Sequence, residues 1–286
     1  MEFRPASEAD LEGEYVAFEA AMTELRTRRG GAWSASPFNP DGTWAAVHRH
    51  LLANDGSRSY VAEDGDRIAG FTAAWLRDDC WFLSALFVDP AYQGRGVCRG
   101  LLDHIWDGSH ARRITITEAI QPVSTGLYAR RGLLPVTPIL EFSGTAHADA
   151  VDRLVPAPPT PDALRILDAH GYGFDRAVDH AFWARTSTHA TVWLREREPV
   201  AYSYRSGSKL GPIAGRDAEC AGQALRAELA RSGGDEVTVA IPGTATRLVQ
   251  VALAAGLRLT DPGLLLLSPS AMPAPTALAI HSYWLL

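Results

Sequence analysis

Cysteine is scarce in this chain. Cys80, Cys98 and Cys220 are scattered through 286 residues with no C-x-x-C spacing, so neither a disulfide framework nor a cysteine zinc site is expected. Basic tracts are missing too, and the formal net charge is −6; the chain carries no electrostatic footprint for nucleic acid. No apolar run approaches the roughly 20 residues that a membrane span requires. Met1-Glu2-Phe3-Arg4-Pro5 does not resemble a secretory leader, which points to a cytoplasmic protein without a membrane partner. His48 and His50 stand two apart, so their rings diverge on a helix, and no metal site is expected from them. What remains, 47% hydrophobic and 21% charged, is the composition of a soluble globular protein long enough for two domains.

The stretch from Ser84 to Asp107 organises the rest. Trp81 to Val88 is an almost unbroken apolar run ending at Asp89-Pro90, which predicts a buried strand. Beyond Gln93-Gly94-Arg95-Gly96, the residues Val97, Leu101 and Ile105 recur every four positions and predict a helix with one face in the core. Glycines at the mouth of a helix let backbone N–H groups face outward, where they and the helix dipole bind anions. Arg95 and Arg99 add the charge that a pyrophosphate would require. A Walker loop is excluded because no Gly-Lys-Ser/Thr follows Gly94. A dinucleotide fingerprint fits poorly because Gly100 comes one residue late and Pro-Ala-Tyr-Gln separates the loop from its strand.

These residues resemble motif A of the GNAT acyltransferase superfamily, Q/R-x-x-G-x-G/A, as Gln93-Gly94-Arg95-Gly96-Val97-Cys98; Cys98 stands where Gly or Ala is usual. Downstream, Arg113 to Glu118 predicts a strand. Gln121 to Leu133, with Pro122 near its start and Gly132 at its end, predicts a short helix on which Gln121, Ser124 and Tyr128 share a face. That segment resembles motif B of the same superfamily, with Tyr128 and Gly132 matching, and Gln121, Ser124 and Leu133 replacing Asn, Ala and Phe.

Before the loop, Glu2 to Pro5 predicts a strand, and Ser7-x-x-Asp10 starts a helix expected to run to about Arg29. A second helix is predicted over Thr43 to Leu52. Trp33, Phe38 and Trp44 sit where the resembling family holds its acceptor, and core closure explains them equally well. Arg58–Ala62, Ile68–Leu76 and Trp81–Val88 predict an antiparallel meander. After the short helix, Ala157 to Pro161 marks a linker over 146–160. Helices follow over Thr160–Gly171 and Asp175–Arg185, then a hairpin of Thr191–Leu194 with Val200–Arg205. The apolar tail from Ile280 to Leu286 is expected to dock as a strand.

The halves repeat at an offset of 124. Leu86 meets Leu210, Leu101 meets Leu225, and Gly132 meets Gly256, whereas Gln93 to Gly96 fall on Asp217, Ala218, Glu219 and Cys220, and Tyr128 falls on Ala252. The expected architecture is α/β (α+β): two GNAT-like domains, 1–145 active and 161–286 degenerate, each a mixed, mostly antiparallel sheet flanked by helices. Phe174, Trp183, Trp193, Tyr202 and Tyr204 are expected to pack in the second core or to line an acceptor cleft.

The resemblance implies acetyl-CoA or a related acyl-CoA as co-substrate, no metal, and an N-acyltransferase acting on a small-molecule amine as monomer or homodimer. It assigns Leu86, Phe87 and Val88 to the pantetheine arm and thioester, Gln93 to Arg99 with Gln121 and Ser124 to the cofactor, and Tyr128 to protonating the thiolate. Glu118 is the leading candidate base, with Asp78 and Asp79 as alternatives. The competing reading is a non-catalytic CoA-binding protein, favoured by the changes at Cys98 and Gln121.

Overall fold

The computed structural model describes every residue except 29, 120, 150–153, 261 and 270–274. The chain forms two compact units, Met1–Leu76 with Trp81–Arg113, and Arg77–Cys80 with Ile114–Leu286.

In the first unit, β1 (Glu2–Pro5), α1 (Leu11–Arg28) and α2 (Thr43–Asp55) precede β2 (Ser59–Asp64), β3 (Arg67–Arg77) and β4 (Cys80–Val88), and α3 (Val97–Ile105) follows. The strand order is β1-β2-β3-β4, with β1 and β3 antiparallel to β2. The centres of β3 and β4 are buried residue after residue, as strands covered on both faces must be, which is why they are continuous apolar runs in sequence. Asp10 ties β1 to α1: its carboxylate accepts from the Ser7 N–H at 2.8 Å and from both ends of the Arg4 guanidinium at 2.9 and 2.7 Å. The Arg4 hydrogen bonds hold the Asp10 carboxyl below the usual carboxylate range. The expected helix end at Arg29 lies outside the described residues.

The second unit begins within β5 (Arg112–Glu118) and continues as α4 (Pro122–Ala129), β6 (Leu134–Thr145), β7 (Val155–Ala157), α5 (Pro161–Gly171), α6 (Ala177–Thr186), β8 (His189–Arg195), β9 (Glu198–Ser206), β10 (Lys209–Gly215), α7 (Ala218–Arg231), β11 (Glu236–Pro242), α8 (Thr246–Ala254), β12 (Arg258–Leu259), β13 (Gly263–Leu267) and β14 (Leu278–Ala279). Its strands run β5-β13-β6-β11-β10-β9-β8-β7, with β12 on β6 and β14 on β10. Among the described pairings of this unit, β10 with β11 is parallel and the rest are antiparallel. The architecture is thus mixed α/β, with a largely antiparallel sheet flanked by helices.

The structure departs from sequence expectation in two segments. Residues 155–157 of the predicted linker form β7, an edge strand on β8 that tolerates Pro156 because its outer N–H positions need no partner; linker residues 150–153 lie outside the described set. The tail places its strand earlier than Ile280: Leu278 and Ala279 pair with β10, Ile280 bridges Ala240, and the chain then turns to bury Leu285 and Leu286.

Candidate active site

The loop after β4 is built by side chains that spend themselves on backbone. The Asp89 carboxylate accepts from the Ala91 N–H at 2.8 Å and from Arg67 at 2.6 Å. The Gln93 side-chain amide donates to the Val88 carbonyl at 3.1 Å, bracing the turn from inside. Gly94 and Gly96 follow with φ of 75° and 83°. A Cβ at either would meet nothing within 4 Å, so left-handed backbone, not crowding, selects glycine there.

Helix α3 opens without a side-chain cap. Among the described residues, the first N–H at this end to reach a backbone acceptor is that of Gly100, on the Gly96 carbonyl at 2.9 Å. The preceding donors of Val97, Cys98 and Arg99 are therefore left for a ligand or solvent, at the positive end of the dipole. Arg95, Gly96 and Arg99 line an open groove with Phe3 and Asp64. Cys98 packs on the core around Val88 and Leu101, and burial pushes its thiol up to about 11. It is neutral at pH 7 and does not repel a phosphate. Leu86 and Phe87 are half-buried and Val88 is buried. Gly100, in sequence only a misfit to the dinucleotide fingerprint, has a packing role: a Cβ there would lie 2.3 Å from the Phe3 ring.

The motif B segment lies in the second unit. The Ser124 hydroxyl sits 2.9 Å from that of Thr117, joining α4 to β5, and donates to the Gln121 carbonyl at 3.1 Å. Gln121 is the N-cap of α4, outside the helix body, so only Ser124 and Tyr128 share a helical face in the sense expected. Tyr128 is buried. Its carbonyl closes the helix by accepting from the Arg131 and Leu133 N–H groups at 2.9 and 3.0 Å, around Gly132 at φ 84°. Glu118 ends β5 opposite Gly263, half-buried. Asp78, an alternative base, instead accepts from the Asp175 N–H at 2.8 Å.

The offset of 124 carries 112–118 onto 236–242, the bounds of β11, and 122–129 onto 246–253, within α8. Gly256 repeats the φ of Gly132, 84°, and the Leu257 N–H bonds to the Ala252 carbonyl as Leu133 does to Tyr128. The mouth of α7 differs from that of α3. The Asp217 carboxylate accepts from the Cys220 N–H at 2.7 Å, and Glu219 pairs with Arg247 at 2.7 Å; the chain's own acid occupies the place of an anion. The gap beside it is filled as well. β10 shifts register between Leu210 and Ile213, and residues 277–280 enter there: the Gly215 N–H bonds to the Ala277 carbonyl at 3.0 Å and the Ile280 N–H to the Ala240 carbonyl at 2.9 Å.

Phe174, Trp183, Trp193, Tyr202 and Tyr204 are all buried, as core packing, the simpler of the two expectations, requires; their burial removes the alternative that they line an acceptor cleft. Two of the rings serve a closed polar network instead. Asp168, itself fully buried, accepts from the Tyr202 hydroxyl at 2.6 Å and the Arg176 N–H at 3.1 Å and faces His180 Nε2 at 2.9 Å, while His180 Nδ1 meets the Tyr204 hydroxyl at 2.9 Å.

Sequence reasoning missed one pair altogether. His48, set aside because its ring diverges from that of His50 on a helix, lies 3.4 Å from Glu14, and both are buried. Only the packing of α1 on α2 brings them together, although Glu14 and His48 each fall among the apolar positions of their helices.

A mixed, largely antiparallel sheet flanked by helices, with an uncapped glycine loop after the fourth strand, is the architecture of the GNAT acyltransferases. Residues 18–133 match the model of the Acetyltransferase (GNAT) family. Solved structures share the fold at low identity. A Pyrococcus horikoshii protein described as a candidate acetyltransferase is 15% identical over 100% of this chain and 95% of its own, with a TM-score of 0.78. A GCN5-related N-acetyltransferase from Sphaerobacter thermophilus is 14% identical over 93% of this chain and 94% of its own, with a TM-score of 0.62. A tandem GNAT protein from the clavulanic acid biosynthesis pathway is 16% identical over 95% of this chain and 99% of its own, with a TM-score of 0.59. No curated protein matches the chain.

Proposed function

We propose that the protein is an N-acyltransferase that moves an acetyl group from acetyl-CoA to the primary amine of a small molecule by direct attack. The observation that carries this reading is the uncapped mouth of α3, whose free N–H groups, left-handed glycines and neighbouring Arg95 and Arg99 suit a diphosphate. In this scheme Glu118 takes the ammonium proton, the amine nitrogen bonds to the thioester carbon, and the Val88 N–H stabilises the developing oxyanion. The carbon–sulfur bond then breaks and the Tyr128 hydroxyl protonates the leaving thiolate. Thiols titrate near ~8.5 and phenols near ~10, so that transfer depends on geometry more than on driving force.

We read the chain as tandem, with 1–145 as the working copy and 161–286 as a scaffold. Asp217 at the α7 mouth and residues 277–280 between β10 and β11 support this, because each takes a place that coenzyme A would need. Calorimetry should then find one acetyl-CoA per chain, and two would overturn the scaffold role.

The test of the reaction is coenzyme A release from acetyl-CoA over a panel of amines, with Tyr128→Phe in parallel. Wild type should turn over and the variant should lose about a hundredfold or more in kcat, as removal of a positioned acid does. Binding without turnover by wild type would favour the non-catalytic reading, for which the substituted Gln121 and Cys98 speak. Turnover only with a longer acyl-CoA would keep the mechanism and change the donor.

A further inference from the structure

Beside the glycine loop, one carboxylate and two guanidiniums meet around a single ring. Strands β3 and β4 are neighbours in the sheet, so Arg67 at the start of β3 stands beside Asp89 just past the end of β4; the Asp89 N–H bonds to the Ala69 carbonyl at 2.9 Å. The Asp89 side chain is 5% exposed and accepts from Arg67 Nη2 at 2.6 Å, whereas the Arg67 side chain is 58% exposed. The Tyr92 N–H bonds to the Asp89 carbonyl at 2.8 Å, and its half-buried ring packs against the cluster of Val88, Val97 and Leu101. The Arg67 guanidinium lies over that ring 5.8 Å from the centroid, and the Arg95 guanidinium lies over it at 5.6 Å.

The two cations are used differently. Asp89 takes Arg67, and among the described residues Arg95 meets no carboxylate; it is exposed in the groove at the mouth of α3. A buried carboxylate that loses its cation is costly, and it draws in the next cation within reach. Arg95 is that cation, because it shares the Tyr92 ring with Arg67. Once paired with Asp89, Arg95 would be lost to a diphosphate, and an unpaired Asp89 would repel one. The anion site therefore depends on a residue that need not touch the anion.

We propose that Arg67 is a positioning residue for the anion site: by holding the Asp89 carboxylate, it leaves the Arg95 guanidinium, steadied on the Tyr92 ring, for the diphosphate of the acyl donor. The proposal rests on the acyl-CoA reading above and adds to it a residue from a different strand, outside the glycine motif. Tyr92 serves through the face of its ring, so Tyr92→Phe should bind the donor as wild type does.

The experiment is calorimetric titration of acetyl-CoA, and of dephospho-coenzyme A, which keeps the diphosphate, into the full chain and its variants. Arg67→Met should weaken both ligands about tenfold, the loss of one charge-assisted contact. In an Arg95→Met background the same change should weaken neither further. Adding Asp89→Asn, whose side-chain oxygen still accepts from the Ala91 N–H, should bring Arg67→Met back to within about twofold of wild type. That rescue separates positioning from a merely structural role and from direct contact with the ligand. The proposal is overturned by an Arg67→Met loss that adds in full to that of Arg95→Met, by a loss that Asp89→Asn does not relieve, or by Arg67→Met binding within about twofold of wild type. A loss seen with acetyl-CoA and not with dephospho-coenzyme A would assign Arg95 to another phosphate and overturn it too. Thermal melts check folding, and Arg67→Gln replaces Arg67→Met if the latter does not fold. No heat from wild type would remove the acyl-CoA reading and the role of Arg67 with it; heat from wild type without the rescue would remove only the role of Arg67.

Discussion

Replacing Gly96 with alanine perturbs the loop at one backbone torsion. Gly96 sits at φ 83°, and a Cβ built there meets no atom within 4 Å, so the change adds no clash. It adds only the cost of holding an L-residue in the left-handed region, about 1–2 kcal/mol. That cost must appear somewhere. If the loop keeps its shape in the free protein, the folded state loses the whole amount; if the loop relaxes, the binding of coenzyme A must restore the shape and affinity falls by roughly 5- to 30-fold. The loss of stability and the loss of affinity should therefore sum to about 1–2 kcal/mol, measured by urea denaturation and by calorimetry with acetyl-CoA on the same preparation. Gly207, at φ 58° with equally open surroundings in the second unit, is the control: Gly207→Ala should cost stability and leave affinity untouched. The reasoning is refuted if Gly96→Ala changes neither quantity, or if Gly207→Ala weakens coenzyme A as much.

Two further outcomes test the scaffold. The Asp10 carboxyl lies below its unfolded value because of Arg4, so its contribution is present above about pH 4 and is lost as pH falls through the folded value. Asp10→Asn should lower stability at pH 7 by about 1–2 kcal/mol, with the gap to wild type closing toward pH 3; an equal gap at both pH values in urea melts would contradict the pairing. Asp168→Ala leaves Tyr202, His180 and the Arg176 N–H without their buried acceptor, and should cost about 3 kcal/mol or more. Asp162→Ala, at an exposed carboxylate, should stay within about 0.5 kcal/mol, and similar losses in the two variants would show that the network carries no stability.

Much of the candidate site was legible because its signals are local. Gly94 and Gly96 sit at positive φ between a buried strand and an amphipathic helix, and each of those features is written within a few residues of the others. Gly132 and Gly256 could also be matched by their spacing without knowing where either lies in space, and both sit at φ 84° just beyond a short helix. The Asp217 substitution likewise announced a helix mouth unsuited to phosphate, and Asp217 caps α7.

What the sequence by itself determined, then, was the order of elements and the chemistry of each helix mouth, since backbone propensity, capping and apolar period act over one or two turns. Only the tertiary structure decided which distant segments meet. Strand β13 pairs with both β5 and β6, while β6 runs on to pair with β11, so strands from early and late in the sequence alternate, and the compact units divide at Arg113 and Ile114. Residues 277–280 enter beside β10, Glu14 finds His48, and Phe3 covers Gly100. Each of these joins residues tens or hundreds of positions apart through strand register or shape complementarity, and neither quantity leaves a mark on the local pattern of apolar and polar side chains.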